Sequence, residues 1–253
     1  MNKPILKPGW HIGTSGWSYK HWDGVFYPEN VKPARYLEYF VTRFDCVELN
    51  SCFYHLPRES TIHGWMERTP DTFIFCPKLS RLITHQLKLT HCEEPLNRFF
   101  NLFDKMKKKI GPILIQIAPD LHFDEEFIIG FLEILKTDYS DYQFAFEVRH
   151  KSWINDTFFN ILSSYGAAFV IADSGKRYPG YEAITADFVY LRLHGREVLY
   201  ASDYSDEELL EYACKISRWL EADKEVWIFF NNDYHAFAIK NAQRLIELIQ
   251  QQE

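Results

Sequence analysis

The sequence has few cysteines, and none of them lies in a paired motif. The five cysteines are widely scattered, and no C-x-x-C pair occurs in the chain. This pattern excludes the dense disulfide framework of a small secreted protein and the paired thiolates of a zinc knuckle. We therefore expect reduced thiols at Cys46, Cys52, Cys76, Cys92 and Cys214.

Long apolar runs are also lacking. No window approaches the roughly 20 uncharged residues that a membrane helix needs. Residues 1–9 contain no apolar run of signal-peptide length. We expect a cytoplasmic protein that makes no contact with a membrane.

Basic residues are in the minority. Lys and Arg total 28 against 35 Asp and Glu, which gives a formal net charge of -7. An acidic balance opposes non-specific attraction to phosphate backbones. Binding of nucleic acid would need a local basic patch, so it ranks behind binding of a small molecule.

Strand-like segments are abundant by comparison. With 253 residues, 47% of them hydrophobic, the chain is long enough for a large core. Runs rich in β-branched and aromatic residues predict eight strands. They cover 10–14, 46–50, 73–78, 113–117, 144–148, 168–172, 188–193 and 226–230.

Helical periodicity fills most of the gaps between these strands. It predicts helices over 33–44, 95–110, 124–136, 156–165, 206–222 and 236–250. Ser205 followed by Glu208 is typical of a capping box. The segment 172–187 is too rich in Gly, Pro and Ser for a full helix.

Alternation of strand and helix indicates an α/β fold with a parallel sheet. Eight units favour a closed (β/α)8 barrel of the TIM type. We expect a single domain over 1–253 with its core at about 10–250. The outer helix between strands six and seven is expected to be missing or reduced. An open doubly wound sheet is the competing architecture.

Polar residues stand at the carboxyl end of nearly every predicted strand. In a barrel, the loops that follow these ends build the functional site. Because strand side chains alternate between faces, residues two positions apart, such as Glu147 and Arg149, share a face, and the charged residues are expected to point inward. The polar residues at these strand ends are Glu48, Asn50, Lys78, Gln116, Glu147, Arg149, Asp173, Arg192, His194, Asn231 and Asn232.

These residue types favour an enzyme acting on a small anionic substrate, phosphorylated or sugar-like. Lys78, Arg192 and His194 are suited to holding an anion, while Glu147 or Asp173 is suited to moving a proton. We count Lys78 with the catalytic candidates. A competing interpretation is an internal ion network that only fills the barrel.

A metal-dependent hydrolase or isomerase is a further alternative. Glu48, Glu147, Asp173 and His194 are suitable ligands. Cationic neighbours such as Arg149 and Arg192 would repel a metal, so we expect neither a metal nor another cofactor.

Aromatic residues add a possible stacking surface. Trp17, Tyr54 and Trp153 follow predicted strands, and such rings stack on sugars or bases. A nucleotide or nucleic-acid binding protein is therefore the second functional hypothesis. The same rings also suit a packed lid over the barrel mouth.

Six ordered motifs carry a family resemblance. They are IGTSGWSYKHW at 12–22, ELNSCFYHLP at 48–57, FCPKLSRLITH at 75–85, FEVRHKSW at 146–153, YLRLHGR at 190–196 and FFNND at 229–233. With these the chain resembles the YecE-like family, known as domain of unknown function 72. The resemblance implies a TIM-type barrel and does not imply a reaction. Similar members commonly carry a small hydroxyl residue where this chain has Cys52, which argues against a thiol nucleophile.

Overall fold

The computed structural model describes residues 9–252 of the protein. Residues 1–8, where the sequence predicts no signal peptide, and residue 253 lie outside the described residues. The strands are β1 Trp10–Thr14, β2 Cys46–Leu49, β3 Ile74–Pro77, β4 Ile113–Gln116, β5 Phe144–Glu147, β6 Ala168–Asp173, β7 Phe188–Leu193 and β8 Glu225–Phe230.

The helices fall between these strands and after the last one. They are α1 Tyr36–Phe40, α2 Ser51–Tyr54, α3 Glu59–Glu67, α4 Glu93–Asp104, α5 Glu125–Asp138, α6 Asp156–Ser164, α7 Asp206–Glu221 and α8 Phe237–Gln252. A π-helical turn at Leu82–Gln86 follows β3. The sequence pattern predicts neither α2, α3 nor this turn, and the helix that it predicts in place of α4 ends six residues too late, at residue 110.

The eight strands form two parallel sheets rather than one closed barrel. A curled six-stranded sheet has the order β1-β8-β7-β6-β5-β4, and β2 pairs with β3 in a separate two-stranded sheet. The predicted parallel α/β architecture agrees with this arrangement. The predicted closed eight-stranded barrel is wrong, because no continuous ladder joins the two sheets within residues 9–252.

Backbone chemistry accounts for the gap between β3 and β4. Only two isolated bridges link this region, Phe75 with Ile110 and Lys78 with Leu114. Between these bridges lie residues 76–77 on one segment and residues 111–113 on the other. The segment that leads into β4 therefore holds one extra residue, as in a β-bulge. Pro77 and Pro112 also lie between the bridges, and proline has no amide hydrogen to donate to a ladder.

The gap between β1 and β2 is narrow. A Cβ atom built on Gly13 would lie 2.4 Å from the carbonyl oxygen of Cys46. The two backbones therefore approach closely without forming a ladder, and only glycine fits at this point of β1. Side chains of the two sheets consequently meet in the interior.

The helices cover the outer side of the sheets with apolar stripes. In α7, Leu209, Tyr212, Ala213 and Ile216 are buried at spacings of three and four residues, as expected for an amphipathic helix. The predicted capping box is confirmed: Ser205 Oγ accepts from the Glu208 amide at 3.2 Å, and a Glu208 side-chain oxygen accepts from the Ser205 amide at 2.9 Å. These bonds satisfy amides that a helix start leaves unpaired.

The connection between β6 and β7 contains no helix, in keeping with its broken sequence. In the part of the chain that the structure describes, no helix combines the length and the apolar character needed to cross a bilayer.

Candidate active site

The inside of the curled sheet is built in two layers. The lower layer is apolar and consists of Cys46, Cys76, Leu114, Ala145, Ala168, Val170, Ala186, Phe188, Tyr190, Trp227 and Phe229. Two positions further along six of the strands stand polar residues, namely Glu48, Lys78, Gln116, Glu147, Arg192 and Asn231. Since side chains two apart share a face, the strand period itself places this polar layer above the apolar one.

Arg192 and Glu48 form a bidentate pair in the polar layer. Arg192 Nε donates to Glu48 Oε1 at 2.8 Å, and its Nη2 donates to Oε2 at 2.7 Å. Ser15 Oγ donates to Oε2 at 2.7 Å, and Tyr190 OH donates to Oε1 at 2.9 Å. Each oxygen of Glu48 thus accepts two hydrogen bonds, which leaves this buried carboxylate fully satisfied.

Glu147 is the second anion of the layer and is equally occupied. Its Oε2 accepts from Arg192 Nη1 at 2.6 Å and from Gln116 Nε2 at 2.5 Å. Its Oε1 accepts from Arg149 Nη2 at 2.8 Å and lies 3.1 Å from His194 Nε2. Glu147 therefore binds the guanidinium groups of Arg149 and Arg192 and has no oxygen without a hydrogen-bonding neighbour.

The charges of the arginines keep both carboxyls ionised. Burial is the largest influence on the pKa of Glu48 and raises it, but the adjacent Arg192 outweighs this effect and lowers the pKa overall. Burial likewise raises the pKa of Glu147, and Arg149 with Arg192 brings it well below its ordinary value. Neither group carries a proton to give at neutral pH.

His194 is a neutral imidazole in this network. Burial, followed by the charge of Arg192, lowers its pKa to about 4. Asn231 Nδ2 lies 3.0 Å from His194 Nδ1, so the amide donates to that nitrogen. Nε2 then carries the hydrogen and donates to Glu147, a tautomer assigned from the hydrogen-bond partners.

Lys78 has a different environment from the arginines. Its Nζ donates to Gln116 Oε1 at 3.0 Å and stands 4.0 Å from the centre of the Phe53 ring. Within residues 9–252 it forms no ion pair with a carboxylate. Burial, followed by the charge of Arg192, lowers its pKa to about 7.

A cavity of ≈ 740 Å³ opens above the polar layer. Its lining includes four cationic side chains and one carboxylate. The lining residues are Tyr19, Asn50, Phe53, Tyr54, Lys78, Arg81, His85, Gln116, Arg149, Arg192, Tyr200, Asn231 and Asp233.

Arg149 has spare hydrogen-bonding capacity at this cavity. Its side chain is 5% exposed, and its Nε and Nη1 atoms have no hydrogen-bond partner among residues 9–252. The guanidinium carbon lies 3.5 Å from the centre of the Tyr178 ring. A buried guanidinium with unpaired N–H groups is costly and gains from an acceptor, for which an anionic ligand is suited.

The structure brings together most of the site residues that the sequence predicts. Glu48, Lys78, Gln116, Glu147, Arg149, Arg192, His194 and Asn231 are joined directly or through one another by the contacts above. Asn50 and Tyr54 line the cavity. The Oδ1 atom of Asn50 is buried and finds no hydrogen-bond partner in the described part of the chain.

Four nominated residues lie elsewhere. Asp173 accepts from Arg196 Nε at 2.7 Å and from the Tyr212 hydroxyl, away from the cavity lining. Trp153 is wholly buried.

Of the other two, Trp17 faces Trp65 beside a second cavity of ≈ 300 Å³. Asn232 donates from Nδ2 to Ser202 O at 2.9 Å and to Asn241 Oδ1 at 2.8 Å.

Two residues of the cavity lining, Arg81 and Tyr200, were not predicted from the sequence. Arg81 stands in the turn after β3, and Tyr200 stands in the long loop after β7. Arg81 follows Lys78 by three positions, and this spacing was the available signal. Loop conformation decides which such residues face the cavity, and the strand pattern does not describe it.

Cys52 is unsuited to act as a nucleophile. It is buried and donates to Leu49 O at 2.7 Å and to Lys78 O at 3.0 Å. Burial raises the pKa of its thiol to about 12. A reactive cysteine needs the thiolate, which this environment opposes.

The residues also fit a metal poorly. Among the described residues, no cluster of three or more His, Cys, Asp or Glu side chains is arranged to hold a metal ion. The oxygens of Glu48 and Glu147 are already engaged by arginines.

Comparison with known proteins gives consistent matches. The chain is 24% identical over 273 residues to UPF0759 protein YunF of Bacillus subtilis, covering 94% of both chains. It is 28% identical over 140 residues to UPF0759 protein YecE of Escherichia coli K12, covering 55% of this chain and 48% of YecE.

Two solved structures are also similar. A DUF72 family protein from Thermotoga maritima MSB8 matches with a TM-score of 0.84 and 29% identity, covering 96% of this chain and 99% of that one. One from Enterococcus faecalis V583 matches with a TM-score of 0.81 and 19% identity over 95% of both chains, which shows the fold alone. The family model described as "Protein of unknown function DUF72" matches residues 11–253, so the chain belongs to the DUF72 family.

Proposed function

We propose that the protein is an enzyme that binds a small anionic substrate, phosphorylated or carboxylated, in the cavity above the polar layer. The observation that carries this proposal is the convergence of Lys78, Arg81 and Arg149 on one cavity. A volume of ≈ 740 Å³ is in the range of small-molecule sites.

The distribution of charge supports an anion as the ligand. Glu48 and Glu147 lie beneath the cavity and engage Arg192 from below. Asp233 is the carboxylate of the cavity lining. Cationic groups therefore dominate the surface that a ligand meets, and the free N–H groups of Arg149 lie at the same place.

Lys78 is the group best placed to exchange a proton with the substrate. An acid or base is most effective when its pKa lies near the working pH, and the pKa of Lys78 is about 7. Glu147 is occupied by four hydrogen-bonding groups. Asp173 is bound to Arg196 and Tyr212.

Anion binding is tested by calorimetry and thermal shift with inorganic phosphate, pyrophosphate, citrate and ribose 5-phosphate. We expect saturable binding of at least one of them. Lys78→Met and Arg81→Met should each weaken it by about 10-fold or more, the effect of losing one charge-assisted hydrogen bond. Lys136→Met on the exposed face of α5 is the matched control and should bind as the wild type does.

Two outcomes would overturn the proposed binding of an anion in the cavity. One is that none of these anions binds saturably. The other is that Lys136→Met weakens binding as much as Lys78→Met does, since the binding would then reflect general surface charge. If the phosphorylated and carboxylated compounds that bind are not turned over, the protein only binds anions and the proposed enzymatic activity is wrong.

A nucleotide is the second candidate ligand. Tyr54 is 67% exposed at the cavity, and its ring lies 5.0 Å from that of Phe53. An exposed ring beside an anion site suits a base attached to a phosphate. AMP should then bind more tightly than ribose 5-phosphate, and Tyr54→Ala should weaken only AMP. Equal affinity for the two ligands would dismiss this candidate.

A further inference from the structure

The position of Lys78 is fixed by its backbone as well as by its amine. Its amide donates to Leu49 O at 3.2 Å, and its carbonyl accepts from the Cys52 thiol at 3.0 Å. A bridge to Leu114 holds the opposite edge. The side chain therefore enters the cavity from a rigid point between β2 and β4.

The orientation of Gln116 directs the amine. Because its Nε2 donates to Glu147 at 2.5 Å, its Oε1 must face Lys78 and accept from Nζ at 3.0 Å. An amide oxygen takes up one N–H and leaves the nitrogen lone pair unengaged. A carboxylate in the same place would instead have favoured the protonated ammonium.

We infer that Lys78 is a nucleophilic amine that condenses with the carbonyl group of an anionic aldehyde or ketone to form an imine. This inference rests on the proposed function, and it narrows the substrate to an anion that also carries a carbonyl group. Arg81 and Arg149 hold the anionic end, while the carbonyl meets Nζ beside the Phe53 ring.

The charge state of Lys78 supports this role. Only the neutral amine is nucleophilic, and desolvation in an apolar or cationic setting is the usual means of producing it. Burial and the neighbouring Arg192 provide both conditions, and the pKa of about 7 leaves a large neutral fraction near neutral pH. Glu48 and Glu147 do not reverse this effect because Arg192 binds both of them.

The step balances without an oxidant or a reductant. The nitrogen lone pair attacks the carbonyl carbon and forms the C–N bond as the C=O π pair moves to oxygen. One proton passes from nitrogen to that oxygen, and the resulting hydroxyl leaves as water with the second amine proton. The products are the imine and one water molecule, and protonation of the imine then draws electrons from the adjacent carbon.

Groups for these proton transfers line the same cavity. His85 has a pKa lowered to about 4, chiefly by burial and then by Lys78, so its imidazole is neutral. Its ring lies 5.1 Å from that of Phe53, the ring that also contacts Lys78. Burial raises the pKa of Asp233 above its ordinary value.

Reductive trapping with pyruvate is the test. The full chain is incubated with pyruvate and sodium borohydride, and the modified lysines are mapped by mass spectrometry. We expect a reduced adduct at Lys78 that forms at least about tenfold faster at pH 7 than adducts at surface lysines, whose amines are almost wholly protonated there. Its rate should rise with pH and level off above about pH 7.

Four controls sharpen the experiment. Lys78→Met should lose the fast adduct, Lys136→Met should keep it, and excess phosphate should slow it by competing for the cations. Hydroxyacetone has a carbonyl group and no charge, so it should label Lys78 more slowly than pyruvate.

The outcomes separate this inference from the proposed function. Saturable binding of pyruvate or phosphate with no fast adduct at Lys78 would overturn the imine and leave the anion site intact. A fast adduct at Lys78 that phosphate does not slow, and that hydroxyacetone forms equally well, would uphold the imine and contradict the anion site. Slow labelling spread over many lysines, without saturable binding, would contradict both the imine and the anion site.

Discussion

Glu48 and Arg192 are 144 positions apart in the chain and share two hydrogen bonds, at 2.8 and 2.7 Å. Glu48 belongs to the two-stranded sheet and Arg192 to the six-stranded sheet, so this pair joins the two sheets through side chains. Arg192 also reaches Glu147 on β5 at 2.6 Å. One guanidinium thus holds three strands around the floor of the cavity.

Glu48→Gln is expected to destabilise the protein by about 3 to 5 kcal/mol, because removing one partner leaves Arg192 buried with half of its compensating charge. Urea unfolding at pH 7 measures this loss. Glu59→Gln is the control, since Glu59 pairs with Lys105 at 2.6 Å on the surface, and it should leave the midpoint unchanged. Equal midpoints for the wild type and Glu48→Gln would show that the buried pair does not hold the sheets together.

The sequence was sufficient to locate the strands and the polar layer. Each observed strand overlaps its predicted range, because short β-branched and aromatic runs are a local signal. Glu48, Glu147 and Arg192 were identified because the side-chain period of two needs no tertiary information. The same period places these three residues two positions beyond the apolar residues of the lower layer.

The interruption between the two sheets and the walls of the cavity could not be predicted from the sequence, for a common reason. A ladder depends on the register between two distant segments, and an extra residue beside Pro77 and Pro112 was enough to interrupt it. Arg81 and Tyr200 reach the cavity from loops whose path no periodicity describes. Trp153 and Asp173 were nominated by position after a strand, yet the packing turned them toward other partners.

Lys78→Met is expected to raise stability by about 1 to 4 kcal/mol at pH 6, because it replaces a buried charged amine with an apolar side chain of similar length. The pKa of Lys78 falls from 10.5 to about 7 on folding, so between these values the unfolded chain binds more protons. Stability of the wild type should therefore rise with pH in this window, and the advantage of the variant should shrink toward pH 10.5. Urea unfolding at pH 6, 8 and 10 measures the trend, and a gap that stays constant with pH would contradict it.

His11→Asn is expected to lower stability at pH 6 by about 2 kcal/mol, the size of a charge-assisted hydrogen bond. Burial of His11 acts to lower its pKa, but hydrogen bonds with Asp45 and Glu225 outweigh it and raise the pKa to about 9. The stabilisation is therefore complete below pH 6.5 and is lost as pH rises through 9. The wild type and the variant should converge at pH 10. Unfolding curves that stay equally separated at pH 6 and pH 10 would rule out the ionised histidine.

Gly13→Ala tests the close approach of β1 to β2. The added methyl would lie 2.4 Å from the Cys46 carbonyl oxygen, and because that atom belongs to the backbone it cannot move without shifting β2. We expect a loss of about 1 to 3 kcal/mol, the usual penalty of forcing extra volume into a packed interior. Gly130→Ala on α5 is the matched control. A methyl there would meet nothing within 4 Å, and alanine in a helix interior gains about 0.5 to 1 kcal/mol over glycine. If both substitutions stabilise the protein in urea unfolding, the two sheets are not in backbone contact at this edge.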